Sequence, residues 1–326
     1  MVWPEGFTRV PDDDWVGRPP EALARTYDTV REHGWYRNLD PTVERLATVV
    51  RPGEILLDYS GGTGILAERL LARLGDIELG ILIVDASPKF LRVALGKLGA
   101  DERVAYRLIA YVQEERRLQT IQEVVEAPLL ERRVDWISST NAVHLYYGLE
   151  ETLRSWKQVL QPGGRAFVQS GNIGVADLAE GVWIIDETVD SIDAASAEIV
   201  RDDDRYAAYR PALADAERSE RYAELRRKFF LPVRPLEHYL SAFERGGFRV
   251  LDVEHRIIGA ERQHWIDFLS VYHEGVLGWV GGSERIEGAQ PTEEAVEDRL
   301  QLLRESVERV FPEPSFRAVW TYIEAD

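Results

Sequence analysis

Three glycines within four positions follow an apolar run that ends in a carboxylate: Ile55-Leu56-Leu57-Asp58-Tyr59-Ser60-Gly61-Gly62-Thr63-Gly64. Closely spaced glycines let a ligand approach the backbone and let the chain turn from a strand into a helix. A second apolar run, Ile81-Leu82-Ile83-Val84, ends in a second carboxylate, Asp85, followed by Ala86. A carboxylate at the end of a buried strand is costly unless it meets a cation or hydrogen-bond donors. Asp58 and Asp85 therefore mark the ends of two strands where a ligand is expected. A third group, Asn141-Ala142-Val143-His144, follows the run Val134-Asp135-Trp136-Ile137-Ser138, and a near-neutral imidazole there could act as a general base. His264 and His273 are reserve candidates for that role.

The glycine segment also fits the loose dinucleotide pattern Gly62-x-Gly64-x-x-Ala67 with Asp85 about 20 residues on, so an NAD(P)-dependent oxidoreductase is the first alternative. Asp58 argues against it, because a pyrophosphate has the wrong charge for a carboxylate. S-adenosylmethionine offers an ammonium group for Asp58 and ribose hydroxyls for Asp85, and fits better. A catalytically inactive cofactor-binding protein is the second alternative.

The elements that position these residues alternate short apolar runs with amphipathic stretches, the sign of a sheet built from strand-helix repeats. Strands are expected at Ile55–Asp58, Ile81–Asp85, Val104–Ala110, Val134–Ser138, Ala166–Val168, Phe248–Ile258 and Phe316–Ile323. Leu66, Leu70 and Leu74 share one helical face. Ser87-Pro88 supplies an N-cap and first-turn proline for the next helix. The repeat is interrupted twice. The boundaries read as a helical lid segment at 1–50 with a helix from Pro20 to about His33, a core at 51–171, a helical cap insertion at 172–233, core again at 234–260, a second helical insertion at 261–311, and a final core strand at 312–326. The second insertion carries the stripe Val296, Leu300, Leu303, Val307 and Val310.

In order and spacing, four segments together resemble the class I S-adenosylmethionine-dependent methyltransferases of the small-molecule type. They are Ile55 to Gly64, Ile83 to Ser87, Asp135 to His144, and Val159-Leu160-Gln161-Pro162-Gly163-Gly164. The resemblance extends from about Tyr27 to Ala260, with the last strand added. It implies an α/β fold: a Rossmann-like, seven-stranded, mostly parallel sheet with the last strand antiparallel, helices on both faces and helical cap insertions. It also implies S-adenosylmethionine as cofactor, S-adenosylhomocysteine as product, and binding residues Asp58, Tyr59, Ser60, Gly61, Gly62, Gly64, Asp85, Ala86, Asn141 and Ala142. Tyr111 and Val112 are the candidate adenine contacts. Ser60 stands where the family loop has its first glycine.

The chain has 326 residues, 45% hydrophobic and 29% charged, in the ordinary globular range. Lys and Arg number 39 against 57 Asp and Glu, giving a net charge of −18, which disfavours nucleic acid and anionic membrane surfaces as partners. The absence of cysteine excludes disulfides, thiolate metal sites and cysteine nucleophiles. With no leader-like or membrane-spanning run, a cytoplasmic location is expected. Asp202-Asp203-Asp204 reads as a solvated face and His273-Glu274 lacks a second histidine, so no metal is assigned. The inserted aromatics permit a homodimer, and a minority of Trp183, Tyr206, Tyr209, Tyr222, Phe229, Phe230, Trp265, Tyr272 and Trp279 are expected to line a substrate pocket. The activity expected is methyl transfer to a small molecule, with O-methylation of a carboxylate or hydroxyl favoured and His144 as the base for a hydroxyl.

Overall fold

The computed structural model describes residues 2–326; Met1, the first residue of the lid segment, lies outside them. Seven strands make the main sheet: β1 Ile55–Tyr59, β2 Gly80–Asp85, β3 Val104–Leu108, β4 Val134–Thr140, β5 Leu160–Ser170, β6 Val250–Glu261 and β7 Ser315–Ala325. Their order is β3-β2-β1-β4-β5-β7-β6, and β7 runs antiparallel to both neighbours. A two-residue strand, Val182–Trp183, pairs parallel with β7. The fold is thus α/β with a mostly parallel sheet.

The inner strands run parallel, so the helices that connect them cover both faces, and every residue of β1 and β2 is buried. Side chains alternate between faces. Leu57 and Tyr59 pack with α5 (Leu149–Val159) and α8 (Leu236–Arg245) through Leu153, Trp156, Tyr239 and Phe243. Leu56, Ile81 and Ile83 pack on the other face with α2 (Asp40–Val49), α3 (Ile65–Leu74) and α4 (Pro88–Leu98) through Leu46, Leu66, Leu70 and Leu91. Ser87 caps α4 by accepting from the Phe90 backbone N–H at 3.3 Å, with Pro88 in the first turn.

Some local expectations shift. The third strand stops at Leu108, and a small hairpin pairs Tyr111–Val112 with Arg117–Leu118. The fifth strand begins as early as Leu160, but its register with β4 jumps from Val134↔Leu160 to Trp136↔Arg165, so residues 161–164 loop out at Gly163, which has φ 83°. The first helix is α1, Ala22–Asp28, and the chain then continues in two tight turns to Leu39.

A third cluster sits over the carboxyl ends of the strands. It joins Trp35, Tyr36 and Leu39 of the lid segment to α6 (Thr188–Asp202), α7 (Ala216–Phe229), α9 (Arg262–Val271), α10 (Glu293–Val310) and Trp320 of β7. The buried face of α10 keeps Leu303 and Val307 of the expected stripe but is otherwise shifted. Val296, Leu300 and Val310 are only half-buried, while Ala295, Leu302, Ser306 and Arg299 are buried. Arg299 can be buried because backbone acceptors meet it inside: its guanidinium donates to the Val280 carbonyl at 2.6 and 2.9 Å and to the Gly282 carbonyl at 2.5 Å. Gly281 and Gly282 both have left-handed φ, and a Cβ on Gly281 would lie 2.4 Å from that of Ala295. An arginine that satisfies the carbonyls of a tightly packed glycine turn acts as a core residue.

Arg299→Met should therefore leave those carbonyls unpaired and cost about 2–4 kcal/mol in urea unfolding, whereas Leu300→Ala should cost less than about 1.5 kcal/mol. Equal losses would contradict the packing described.

Candidate active site

The turn from β1 into α3 is built around Asp58. Its carboxylate is fully buried, neither oxygen has a hydrogen-bond partner, and burial together with the nearby Asp85 charge pushes it up to about 7. A Cβ on Gly61 would lie 2.6 Å from Asp58 Oδ2, so this carboxylate needs glycine above it. Gly62 has φ 57° with open space where a Cβ would stand, and Gly64, at φ 78°, opens α3. Ser60 also holds a left-handed φ of 58°. Such a conformation costs a non-glycine residue about 1–3 kcal/mol. Its compensation is a chain in which the Tyr146 hydroxyl donates to Ser60 Oγ at 2.8 Å and lies 2.8 Å from Ser139 Oγ.

Asp85 ends β2 with its oxygens in the grip of two backbone N–H groups, from Ser87 at 2.7 Å and Gly62 at 2.8 Å. Burial pushes it up to about 6, partly offset by these donors. It faces a cleft of about 250 Å³ together with Ser60, Gly61, Gly62, Ala86, Asn141 and Ala142. Phe90, Leu118, Tyr146, Tyr27 and Tyr36 complete its walls.

A second cavity of about 180 Å³ adjoins it, and Tyr27, Tyr36, Asn141 and Leu145 line both. Its walls are aromatic: Trp35, Trp265, Phe268, Tyr272, Trp320, Phe229 and Phe230. Its polar members include His144, Asn172 and Asp186, and no lysine or arginine lines it among the described residues. Asn141, at φ 53°, holds the boundary. Its amide donates to Asn38 Oδ1 at 3.2 Å, its side-chain oxygen accepts from Trp320 Nε1 at 3.0 Å, and its backbone N–H donates to the Gln169 carbonyl at 2.9 Å. Tyr27 and Tyr36 stand with Asn141 at this boundary, and burial helps push both phenols up. Tyr27 also stacks on Phe90 at 4.7 Å. The cleft has strand-end carboxylates and a glycine turn; the cavity beside it has an aromatic body and one histidine–carboxylate pair.

Residues 57–168 match the family described as the methyltransferase domain. Residues 57–168 of this chain thus carry a methyltransferase domain. Among curated relatives, the ubiquinone/menaquinone biosynthesis C-methyltransferase UbiE of Vibrio campbellii is 28% identical over 168 residues, covering 50% of this chain and 61% of that protein. The UbiE protein of Coxiella burnetii is 32% identical over 117 residues, covering 33% of this chain and 44% of that protein. The chain thus spans about half the length of the curated relatives it matches. Among solved structures, a methyltransferase of Thiobacillus denitrificans in complex with S-adenosylhomocysteine aligns at 16% identity and TM-score 0.46, over 94% of this chain and 98% of that one. One from Geobacter sulfurreducens, also with S-adenosylhomocysteine, aligns at 16% identity and TM-score 0.45, over 95% and 99%.

Within this methyltransferase domain the expected residues separate into two sets. Ser60, Gly61, Gly62, Asp85, Ala86, Asn141 and Ala142 surround the cleft. Asp58, Tyr59 and Gly64 do not line it: Asp58 lies beneath Gly61, Tyr59 packs against Tyr146 and Trp156, and Gly64 faces Leu98, Ile83 and Ala94. Tyr111 and Val112 also stand off it. They sit on the hairpin, where Tyr111 is half exposed, and Leu118, paired with Tyr111, reaches the cleft instead. Of the three histidines only His144 lines the cavity. His264 stacks on His33 at 4.7 Å, and His273 lies 3.2 Å from Arg299. Four of the nine inserted aromatics, Phe229, Phe230, Trp265 and Tyr272, line it. Asp203 and Asp204 pair with Arg205 and Arg210. Sequence reasoning missed Tyr27, Tyr36, Tyr146 and Asp186; only Tyr146, two residues beyond His144, had a positional signal.

Because the folded pKa of Asp58 is raised above its unfolded value of 3.8, its protonated form stabilises the fold at low pH, and that contribution is lost as pH rises through about 7. In the ligand-free protein, Asp58→Asn should gain about 2–3 kcal/mol relative to wild type between pH 5 and pH 8. Parallel unfolding curves at both pH values check this; a constant difference would contradict it.

Proposed function

We propose that the protein transfers the methyl group of S-adenosylmethionine to a hydroxyl oxygen of a small, uncharged and largely aromatic or apolar acceptor. The supporting observation is the junction: a carboxylate-and-glycine cleft shares the walls Tyr27, Tyr36, Asn141 and Leu145 with an aromatic cavity that holds His144 and Asp186. The cofactor, when bound, supplies an electrophilic methyl group on a sulfonium. The residues present fit it. Asp85 would take the ribose hydroxyls, with Ala86, Phe90 and Leu118 beside it. Gly61 and Gly62 would let the methionine portion approach the backbone, and Asp58, orphaned below, would favour a cation above. Tyr27, Tyr36 and Asn141 would hold the lid segment across the junction and exclude water. Alignment of the two reactants can contribute about 7–11 kcal/mol.

A carboxylate acceptor, equally expected from the sequence, is disfavoured by the lack of a cation in the cavity wall. The basic residues Arg226 and Arg227 are spent on Asp190, Asp193 and Glu220. A second reading rests on the relatives' name of C-methyltransferase: removing the proton of an aryl hydroxyl also activates the adjacent ring carbon. A small-molecule enzyme of this kind, acidic and free of cysteine, is assigned to the cytoplasm.

Asp85→Ala should weaken S-adenosylhomocysteine binding at least tenfold by calorimetry while NADH gives no saturable signal; an unchanged dissociation constant would remove the ribose assignment. Incubation with trideuteromethyl-labelled cofactor and a panel of aryl hydroxyls should give labelled methyl ethers by mass spectrometry and NMR. Label on ring carbon would select the second reading.

A further inference from the structure

The sequence points to His144 as the base, yet its hydrogen bonds give it another job. Ser170 is fully buried at the end of β5, and its Oγ accepts from the Asn172 backbone N–H at 3.0 Å. Its own O–H then needs an acceptor, and the one within reach among the described residues is His144 Nδ1, at 2.8 Å. Leaving a buried hydroxyl donor unpaired costs about 1–3 kcal/mol. Nδ1 therefore carries the lone pair and Nε2 the proton. Nε2–H faces Asp186 Oδ2 at 3.8 Å, so the ring nitrogen nearer the carboxylate has no free electron pair with which to take a proton.

Asp186 sits on a single turn of the cap insertion, Ile185–Glu187, and lines the aromatic cavity. Its carboxylate accepts no hydrogen bond among the described residues, and 16% of its side-chain surface remains exposed. Resting on the hydroxyl-acceptor reading, we propose that Asp186 is the catalytic residue that takes the acceptor's proton, and that His144 is a positioning residue whose Nε2–H aims that carboxylate. The O–H bond of the acceptor breaks, its proton passes to Asp186, and the electron pair left on oxygen forms the new C–O bond as the C–S bond breaks with its electrons retained by sulfur. The electrostatics agree. Burial lifts Asp186 to about 7, while burial and Arg234 push His144 down to about 4, so at pH 8 the carboxylate is ionised and the imidazole neutral. The other ionisable groups facing this pair are Arg234, itself against His238, and Tyr239, which feels the charge of Asp186. A base near the working pH is the efficient one.

The test has two arms. In ¹⁵N-histidine NMR of the S-adenosylhomocysteine complex, His144 should stay the Nε2–H tautomer from pH 5.5 to 8.5; the Nδ1–H tautomer would overturn the proposal. With 1-naphthol as probe, Asp186→Asn should lower kcat at least 100-fold and abolish the rise of activity through pH 7. His144→Gln, which cannot act as a base but can accept from Ser170 and donate to Asp186, should stay within tenfold of wild type and keep that pH limb, while His144→Ala should fall further. Loss in His144→Gln equal to that in Asp186→Asn would return the base to His144. Wild type that makes no naphthyl ether would overturn the hydroxyl reading and the role with it; ether formation retained in Asp186→Asn would overturn the role alone.

Discussion

Asn141 is the point on which both halves of the site depend. It sits just past the end of β4 in a left-handed conformation that asparagine tolerates better than most residues. There it joins three separate parts of the chain: Asn38 of the lid segment, Trp320 of β7 and the Gln169 carbonyl of β5. Together they fix where the cleft over β1 and β2 ends and where the aromatic cavity begins. Because Trp320 stacks on Trp35 at 6.1 Å, the same hydrogen bond that orients Asn141 also sets one wall of the cavity.

Around that junction the dominant force is desolvation. Asp58, Asp85, Asp186 and His144 are all driven toward their neutral forms by burial, and none of the three carboxylates has a cationic side chain as a hydrogen-bonded partner. A protein built only for stability would pair them or replace them. The chain instead keeps three buried carboxylates around two adjoining hollows, and it holds each differently. Asp85 has backbone donors, Asp58 has none and is protected by glycine, and Asp186 has a neutral imidazole nearby. Perturbed groups gathered at a cleft are a mark of chemistry, with structural ion-pair networks as the usual alternative. No such network is present at these carboxylates among the described residues.

The sheet was legible because its strands are runs of apolar residues with carboxylates at their ends, and burial on both faces leaves that signature in any reading frame. The glycine turn and Asp85 were legible for the same reason, being tied to strand ends. Tyr111 and Val112 misled because the chain turns back two residues after the third strand, handing the cleft to Leu118. Tyr27 and Tyr36 lie in short helical turns without a lasting period, and Asp186 is one acid among many in an insertion, so nothing in their spacing distinguishes them. Arg299 hides a different lesson: an arginine inside an amphipathic helix reads as surface until its acceptors, two carbonyls of a glycine turn, are known.

Methyl transfer by this chain requires the two hollows to be continuous. The most direct measurement is a crystal structure with S-adenosylhomocysteine and an aryl hydroxyl compound bound together. The sulfur should lie at the junction bounded by Tyr27, Tyr36, Asn141 and Leu145, facing a ring stacked within the aromatic walls. A sulfur turned away toward Ser60 and Tyr146, with the aryl compound outside the cavity, would contradict it.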